Sequence, residues 1–119
     1  MATKYNVGHR TRWQHRHNIR LSDHLIDRWD DRTPSDSQSP EAAFETGVWL
    51  PNHIAHHWFD CDRARLIAEQ TPTDQYVCVM IVEDAVETVG VTLYRVDEID
   101  ESARRAYCHA VADEVVQRG

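Results

Sequence analysis

The chain has 119 residues, the size of one ordinary domain, so we predict a single hydrophobic core. Apolar residues make up 41% of the sequence, which argues against a wholly disordered chain in spite of the 28% of charged residues. No apolar run approaches the roughly 18 residues that span a membrane, and the first residues lack the apolar stretch of a secretory signal. We therefore expect a soluble, cytoplasmic protein with no membrane partner.

The formal net charge of −7 hides an uneven distribution along the chain. Residues 1–20 contain five basic residues and no acidic one, whereas the other 99 residues contain 8 basic and 20 acidic residues. The sequence therefore predicts a basic, flexible arm over residues 1–18, followed by a single α+β domain over residues 19–119. Basic residues mixed with aromatic ones are typical of segments that neutralise phosphates and stack on bases. The candidate nucleic-acid contacts of this region are Arg10, Arg12, Trp13, Arg16 and Arg20.

Two features of the composition concern the cellular environment. Lysine occurs once, as Lys4, against twelve arginines, a bias that resembles proteins of salt-adapted microbes such as haloarchaea. The three cysteines are odd in number and form no CxxC pair, so they fit reduced, buried thiols better than a disulfide framework.

Helical signals dominate the first half of the predicted domain. Ser22 or Asp23 is a suitable N-cap for a first helix over residues 20–32, in which the apolar residues recur at helical spacing. The segment TPSDSQSP then has the composition of a loop. Its last residues, Ser39 and Pro40, predict the start of a short second helix that stops near Gly47.

Strand signals follow a histidine-rich segment, residues 51–62, that has no clear period. The runs RARLIAEQ, QYVCVMIVED and ETVGVTLYRV each predict a strand. Their connections are too short for a crossover helix, so we expect an antiparallel meander of three to four strands. Residues 99–117 carry small and apolar residues at helical intervals and predict a closing helix. The expected fold is thus α+β, with two N-terminal helices, an antiparallel sheet and a C-terminal helix.

The first predicted helix carries a possible anion-binding ridge. His24, Arg28 and Arg32 recur every four residues, so they should lie along one face of the helix. Two guanidiniums could hold a phosphodiester while the imidazole moves a proton, which is general acid–base chemistry at neutral pH. The alternative is that Arg28 and Arg32 form ion pairs with Asp27, Asp31 and the acidic strands.

This helix and the end of the last strand carry a resemblance to a known family. Residues 19–97 resemble the RelE-type toxin superfamily through a His-x3-Arg-x3-Arg helix and a Thr-x-Tyr-Arg run, here Thr92, Tyr94 and Arg95. The resemblance implies a twisted antiparallel sheet packed against helices and, in active members, cleavage of mRNA on the ribosome by basic and tyrosyl side chains. It thereby implies a metal-independent endoribonuclease with the catalytic set His24, Arg28, Arg32, Tyr94 and Arg95. The acidic balance and the closing helix depart from the toxins and favour a degenerate or regulated ribonuclease.

The first of the three predicted strands, RARLIAEQ, adds two further candidate contacts to RNA. Arg63 and Arg65 alternate with apolar residues, so both should share one face of the sheet, where they could join Arg95 in a basic patch. The alternative is a solvated strand face on which they pair with Glu69 and Glu83.

A cluster of His53, His56, His57 and Cys61 has the residue types of a zinc site but no second ligand pair to complete one. The glycine-rich phosphate-binding motifs and the GxSxG motif of hydrolases are absent from the sequence. We therefore expect no metal and no cofactor, and we interpret the histidines as partly exposed loop residues beside Trp58 and Phe59.

Two hypotheses of different class follow from these patterns. The first is a small, toxin-like domain associated with nucleic acid, RNA rather than DNA, which could act at the ribosome. The second is a non-enzymatic interaction or assembly module, cellular or viral, whose basic arm becomes ordered on a protein partner or in a homo-oligomer. Aromatic residues of the arm and of the segment Trp49 to Phe59 would then anchor the contact.

Overall fold

The computed structural model describes residues 19–118. The predicted arm, residues 1–18, lies outside this range. Within it the chain forms five strands, four helices and one 3₁₀ turn. In chain order they are β1 (Ile19–Leu21), α1 (Asp23–Arg32), α2 (Pro40–Thr46), β2 (Val48–Trp49), α3 (Asn52–Trp58), β3 (Arg63–Gln70), β4 (Gln75–Asp84), β5 (Thr88–Arg95), the 3₁₀ turn (Val96–Glu98) and α4 (Ser102–Arg118).

The five strands form one mixed sheet in the order β1-β5-β4-β3-β2. The predicted meander of β3, β4 and β5 is confirmed, because β4 pairs with both neighbours in antiparallel register. The expectation of a purely antiparallel sheet of three to four strands was wrong, since β1 runs parallel to β5 and β2 extends the opposite edge. Strands of two or three residues carry too little alternation to be seen in a sequence. The coarse class, α+β, holds.

Helix ends follow the local chemistry that the sequence predicts. The Ser22 hydroxyl accepts a hydrogen bond from the Leu25 N–H at 3.0 Å and caps α1. Ser39 caps α2 in the same way, with Pro40 in its first turn, and α2 ends at Thr46 with Gly47 as its C-cap. Helix α3 was not predicted and occupies the segment expected to be a loop. Two residues of this seven-residue helix, Ile54 and Ala55, are buried, too few to produce a visible helical period.

Both faces of the sheet are covered by helices. Helices α1 and α2 pack on one face and α3 and α4 on the other, each pair over its own hydrophobic cluster. Strand β4 lies at the centre, and its residues from Tyr76 to Val82 are all buried. Alternate side chains enter the two clusters, which is why this strand is an unbroken apolar run in the sequence.

Helix α4 closes the second face and begins three residues later than the sequence predicts. Ile99 is buried in the connection before it, and Cys108 and Ala112 on the helix itself pack into the cluster beneath α3 and α4. Among the described residues, no helix is long and apolar enough to cross a membrane.

Gly47 lies close against the backbone of β3. A Cβ atom added to Gly47 would lie 2.7 Å from the backbone oxygen of Leu66, whereas one added to Gly90 would lie 2.9 Å from a terminal methyl group of Leu21. A strand oxygen cannot move without disturbing the sheet, but a leucine methyl can rotate. We expect Gly47→Ala to lower the free energy of unfolding by about 1–3 kcal/mol, and Gly90→Ala by clearly less. Urea unfolding of both variants measures the difference, and equal losses would contradict it.

The three cysteines are free and buried, as the sequence predicts. Burial raises the pKa of Cys61 and of Cys108 to about 11 and that of Cys78 to about 12. The thiolate is the reactive form, so we expect almost no alkylation of the native protein by N-ethylmaleimide at neutral pH. The same reagent should label all three thiols in denaturant. Mass spectrometry measures both states, and rapid labelling of the native protein would contradict the packing described here.

Candidate nucleic-acid interface

The predicted ridge on α1 is held by contacts within the domain. Arg28 Nε lies 3.4 Å from His24 Nε2, so these two side chains are neighbours one helical turn apart. Arg32 Nε lies 2.8 Å from a carboxylate oxygen of Glu98, which follows β5. The sequence left open an ion pair for Arg32, but with Asp27, Asp31 or the acidic strands and not with Glu98. Its positive charge is neutralised within the domain.

Arg95 joins three parts of the chain. Its Nη2 lies 2.8 Å from Asp74 Oδ2 in the turn between β3 and β4, and its Nε lies 3.3 Å from Asp97 Oδ2. Its Nη1 donates a hydrogen bond to the backbone oxygen of Arg32 at 3.0 Å, at the end of α1. All three nitrogens of the guanidinium therefore have partners in the domain. Arg95 fastens α1 to the end of the sheet.

Tyr94 lies on the other face of the sheet from Arg95. It pairs with Val79, which faces α3 and α4, whereas Arg95 pairs with Cys78, which faces α1 and α2. The Tyr94 side chain is 46% exposed. The structure thus brings His24 next to Arg28 and Arg32 next to Arg95, but it does not bring Tyr94 to either pair.

Arg63 and Arg65 share one face, as the sequence predicts, and they meet two aromatic rings there. The Arg63 guanidinium lies 4.3 Å from the centre of the Trp49 ring system. The Arg65 guanidinium lies 4.8 Å from the same centre and 4.5 Å from that of Phe44. The two rings are edge to face, with centroids 5.6 Å apart. We call these four residues, Phe44, Trp49, Arg63 and Arg65, the Trp49 platform.

The platform forms because β2 places Trp49 directly opposite Arg65. Arg65 is buried, with 7% exposure, and its Nε donates a hydrogen bond to the Phe44 backbone oxygen at 2.8 Å. Burial lowers the pKa of Arg65, although arginine stays protonated in proteins. Arg63 binds Asp84 through two hydrogen bonds of 2.7 and 2.8 Å. Both guanidiniums are thus held in place, while Trp49 is 38% exposed to solvent.

Arg95 does not belong to this platform. Asp84, the partner of Arg63, ends β4, whereas Asp74, the partner of Arg95, precedes the first residue of β4. The two arginines therefore bind carboxylates at opposite ends of one strand. The partner of Arg63 is also neither of the two carboxylates that the sequence suggested, Glu69 and Glu83.

The remaining predicted contacts lie elsewhere. Arg20 on β1 forms an ion pair with Glu87. The other four, Arg10, Arg12, Trp13 and Arg16, lie outside the described residues.

The histidine-rich cluster is divided between helix α3, which carries its three histidines, and Cys61, which follows the helix. His53, His56 and His57 are exposed on this helix, and His56 Nε2 lies 3.1 Å from the Asp62 backbone oxygen. Cys61 is buried, and its thiol donates to the Arg63 backbone oxygen at 3.2 Å. Among residues 19–118, no group of three or more His, Cys, Asp or Glu side chains is placed to hold a metal ion.

Comparison with protein-family models, with curated proteins and with solved structures found no match. The chemistry of the Trp49 platform is therefore inferred from its own residues. Sequence reasoning found Arg63 and Arg65 and named Trp49 as the start of an aromatic segment. It missed Phe44 and the stacking, because both depend on the register of a two-residue strand.

The ion pair between Arg63 and Asp84 gives the platform a dependence on pH. The hydrogen bonds from Arg63 hold the pKa of Asp84 below its ordinary value. Such a carboxylate stabilises the fold above its unfolded pKa, and the contribution is lost as the pH falls through the lower folded pKa. We expect Asp84→Asn to cost about 0.5 kcal/mol at pH 7, because water screens this half-exposed pair.

With the same substitution, the free energy of unfolding should fall less steeply as the pH is lowered from about 5 to about 2. Urea unfolding at several pH values measures this, with Asp30→Asn, an exposed carboxylate on α1, as the control. An identical pH profile for Asp84→Asn and the unsubstituted protein would show that the pair contributes nothing.

Proposed function

We propose that this chain binds single-stranded RNA without cleaving it, through the Trp49 platform and the basic arm. The observation that carries the proposal is an exposed indole beside two fixed guanidiniums at the edge of a sheet. An exposed aromatic face stacks on an unpaired base with roughly 1–3 kcal/mol per base, and neighbouring arginines add cation–π attraction. Such a surface suits single strands, since bases in a duplex are already stacked.

Electrostatics limit where RNA can bind. Residues 21–119 contain 8 basic and 20 acidic residues, so most of the domain repels a phosphate chain. Approach is favoured at residues 1–20, which carry five basic residues and no acidic one, whereas Arg63 at the platform is already paired with Asp84. The neighbouring pair His24 and Arg28 lies on α1, which packs on the same face of the sheet as the platform, and offers a further phosphate contact.

Catalysis is not part of the proposal. The five catalytic residues implied by the RelE-type resemblance are divided between the two faces of the sheet. Two of them, Arg32 and Arg95, are in ion pairs. General acid–base cleavage needs its groups within hydrogen-bond reach of one phosphodiester. A relation to the RelE-type toxins stays a proposal about ancestry, supported by the helix and strand motifs described above.

The second candidate function is a protein-interaction module. Tryptophan and arginine are also the residues most enriched at binding hot spots, so the platform itself could contact a protein. The two other anchors proposed in the segment Trp49 to Phe59 are used inside the domain: Trp58 packs edge to face on Tyr107 at 5.3 Å, and Phe59 lies 5.4 Å from the Arg104 guanidinium. Salt separates the two functions, because RNA affinity falls steeply with salt and an aromatic protein contact does not.

Removal of the indole tests the proposed function. We expect Trp49→Ala in the full chain to weaken binding of fluorescent oligouridylate by roughly 5-fold to 100-fold, the loss of one stacked base. Tyr94→Ala, which removes an exposed aromatic residue from the opposite face, is the matched control and should bind like the unsubstituted chain. Circular dichroism checks that both variants fold.

The titrations are repeated over a salt series, and the RNA is run on a gel to detect cleavage. Binding that weakens with salt and leaves the RNA intact agrees with the proposal. Absence of binding at every salt concentration, or equal losses in Trp49→Ala and Tyr94→Ala, would overturn it. Cleavage that His24→Ala abolishes would restore the enzyme hypothesis.

A further inference from the structure

Asp84 joins the Trp49 platform to the turn between β4 and β5. Its Oδ2 accepts a hydrogen bond from Arg63 Nε at 2.7 Å, and its Oδ1 accepts one from Arg63 Nη2 at 2.8 Å. Oδ1 also accepts a hydrogen bond from the Thr88 hydroxyl at 2.7 Å. The Asp84 backbone is held as well, because its N–H donates to Asp62 Oδ2 at 2.6 Å. The carboxylate that Arg63 binds is therefore itself fixed in place.

The geometry of this ion pair fixes a direction more than it adds stability. The Arg63 and Asp84 side chains are each 34% exposed, and water screens exposed pairs. Two parallel hydrogen bonds nevertheless hold the plane of a guanidinium. Because these bonds lie in that plane, they leave the faces of the guanidinium open to stacking partners. The Trp49 ring system, with its centre 4.3 Å from the Arg63 guanidinium, is one such partner.

The two arginines of the platform are held in different ways. Arg65 is buried, contacts both Phe44 and Trp49, and donates to a backbone oxygen. Within the part of the chain that the structure describes, the hydrogen bonds of the Arg63 side chain go to Asp84 alone. Without this carboxylate, Arg63 would keep the indole contact but regain the freedom of its rotatable bonds. The order of Arg63 therefore depends on Asp84.

A carboxylate beside a surface for RNA has two opposing effects. Its negative charge repels phosphates, so electrostatics alone predicts that its removal strengthens binding. A side chain that is already ordered loses less conformational freedom when a ligand binds, so its disorder weakens binding. Because the Asp84 carboxylate is paired with Arg63 and screened by water, we expect the ordering effect to be the larger of the two.

We infer that Asp84 is a positioning residue for RNA, an inference that rests on the proposed binding of RNA at the platform. Asp84 orients Arg63 beside Trp49, so that a base on the indole meets the guanidinium in one fixed orientation. Bases stack on guanidinium planes as well as on aromatic rings. Thr88 holds Asp84 and thereby supports the same arrangement from β5.

Titration of the full chain with fluorescent oligouridylate tests this role. We expect Asp84→Asn to weaken binding roughly 3-fold to 10-fold although it removes a negative charge. Glu83→Gln is the matched control, because Glu83 is the neighbouring carboxylate on the opposite face of β4. This control loses the same charge without releasing Arg63, so it should bind RNA at least as tightly as the unsubstituted chain.

The same substitution in an Arg63→Ala background separates positioning from damage to the fold. There Asp84 has no guanidinium to orient, so only its repulsion of RNA remains. We expect Asp84→Asn to strengthen binding in this background, the reverse of its effect alone. A substitution that merely disturbed the fold would weaken binding in both backgrounds. Circular dichroism checks that each variant is folded.

The outcomes distinguish this role of Asp84 from the proposed function. Unchanged or tighter binding by Asp84→Asn, equal losses in Asp84→Asn and Glu83→Gln, or a loss that persists beside Arg63→Ala would overturn the positioning role. If Trp49→Ala still weakens binding in those cases, the proposed function stands without it. Absence of RNA binding by the unsubstituted chain would overturn both.

Discussion

Burial of β4 on both of its faces is the constraint on which the rest of this structure depends. Seven consecutive residues, Tyr76 to Val82, are withdrawn from water, and alternate side chains need a separate apolar cover on each side. Helices α1 and α2 supply one cover and α3 and α4 the other. The charged side chains of the sheet therefore lie outside this segment of β4. Arg63 and Arg65 reach over the edge toward Trp49, and Arg95 reaches beyond the end of the sheet toward Asp74.

The same constraint determines the electrostatics of the domain. Arginines at the rim of the sheet and at the end of α1 meet carboxylates there, and Arg32, Arg63 and Arg95 all form ion pairs. Exposed pairs of this kind add little stability one by one, but they fix the direction of each guanidinium. Arg95 illustrates the result, since its contacts tie the end of α1 to the end of β5 and engage each of its three nitrogens within the domain. Arg32 and Arg95, which look catalytic in the sequence, thus join separate parts of the fold.

Local chemistry explains what could be predicted from the sequence. Ser22 and Ser39 were recognisable caps, and β3, β4 and β5 were long enough for their apolar pattern and short connections to predict a meander. The strands β1 and β2 and the helix α3 were missed because their formation depends on pairing or packing with distant residues, such as Ile19 with Thr88. Spacing placed His24 beside Arg28 correctly, but ion pairs such as Arg32 with Glu98 join residues far apart in the chain. The Trp49 platform required both a register and a rotamer that no local pattern encodes.

The most direct measurement follows the four tryptophan indole N–H signals of the full chain by NMR as oligouridylate is added. If RNA stacks on the platform, the Trp49 signal shifts and saturates as RNA is added. The signals of Trp29 and Trp58 should stay unchanged. Trp29 is buried and donates its indole hydrogen bond to the Gln38 backbone oxygen, and Trp58 packs on Tyr107. A saturable interaction that leaves the Trp49 signal in place would show that RNA binds elsewhere and would contradict the account of this platform as the base-stacking surface.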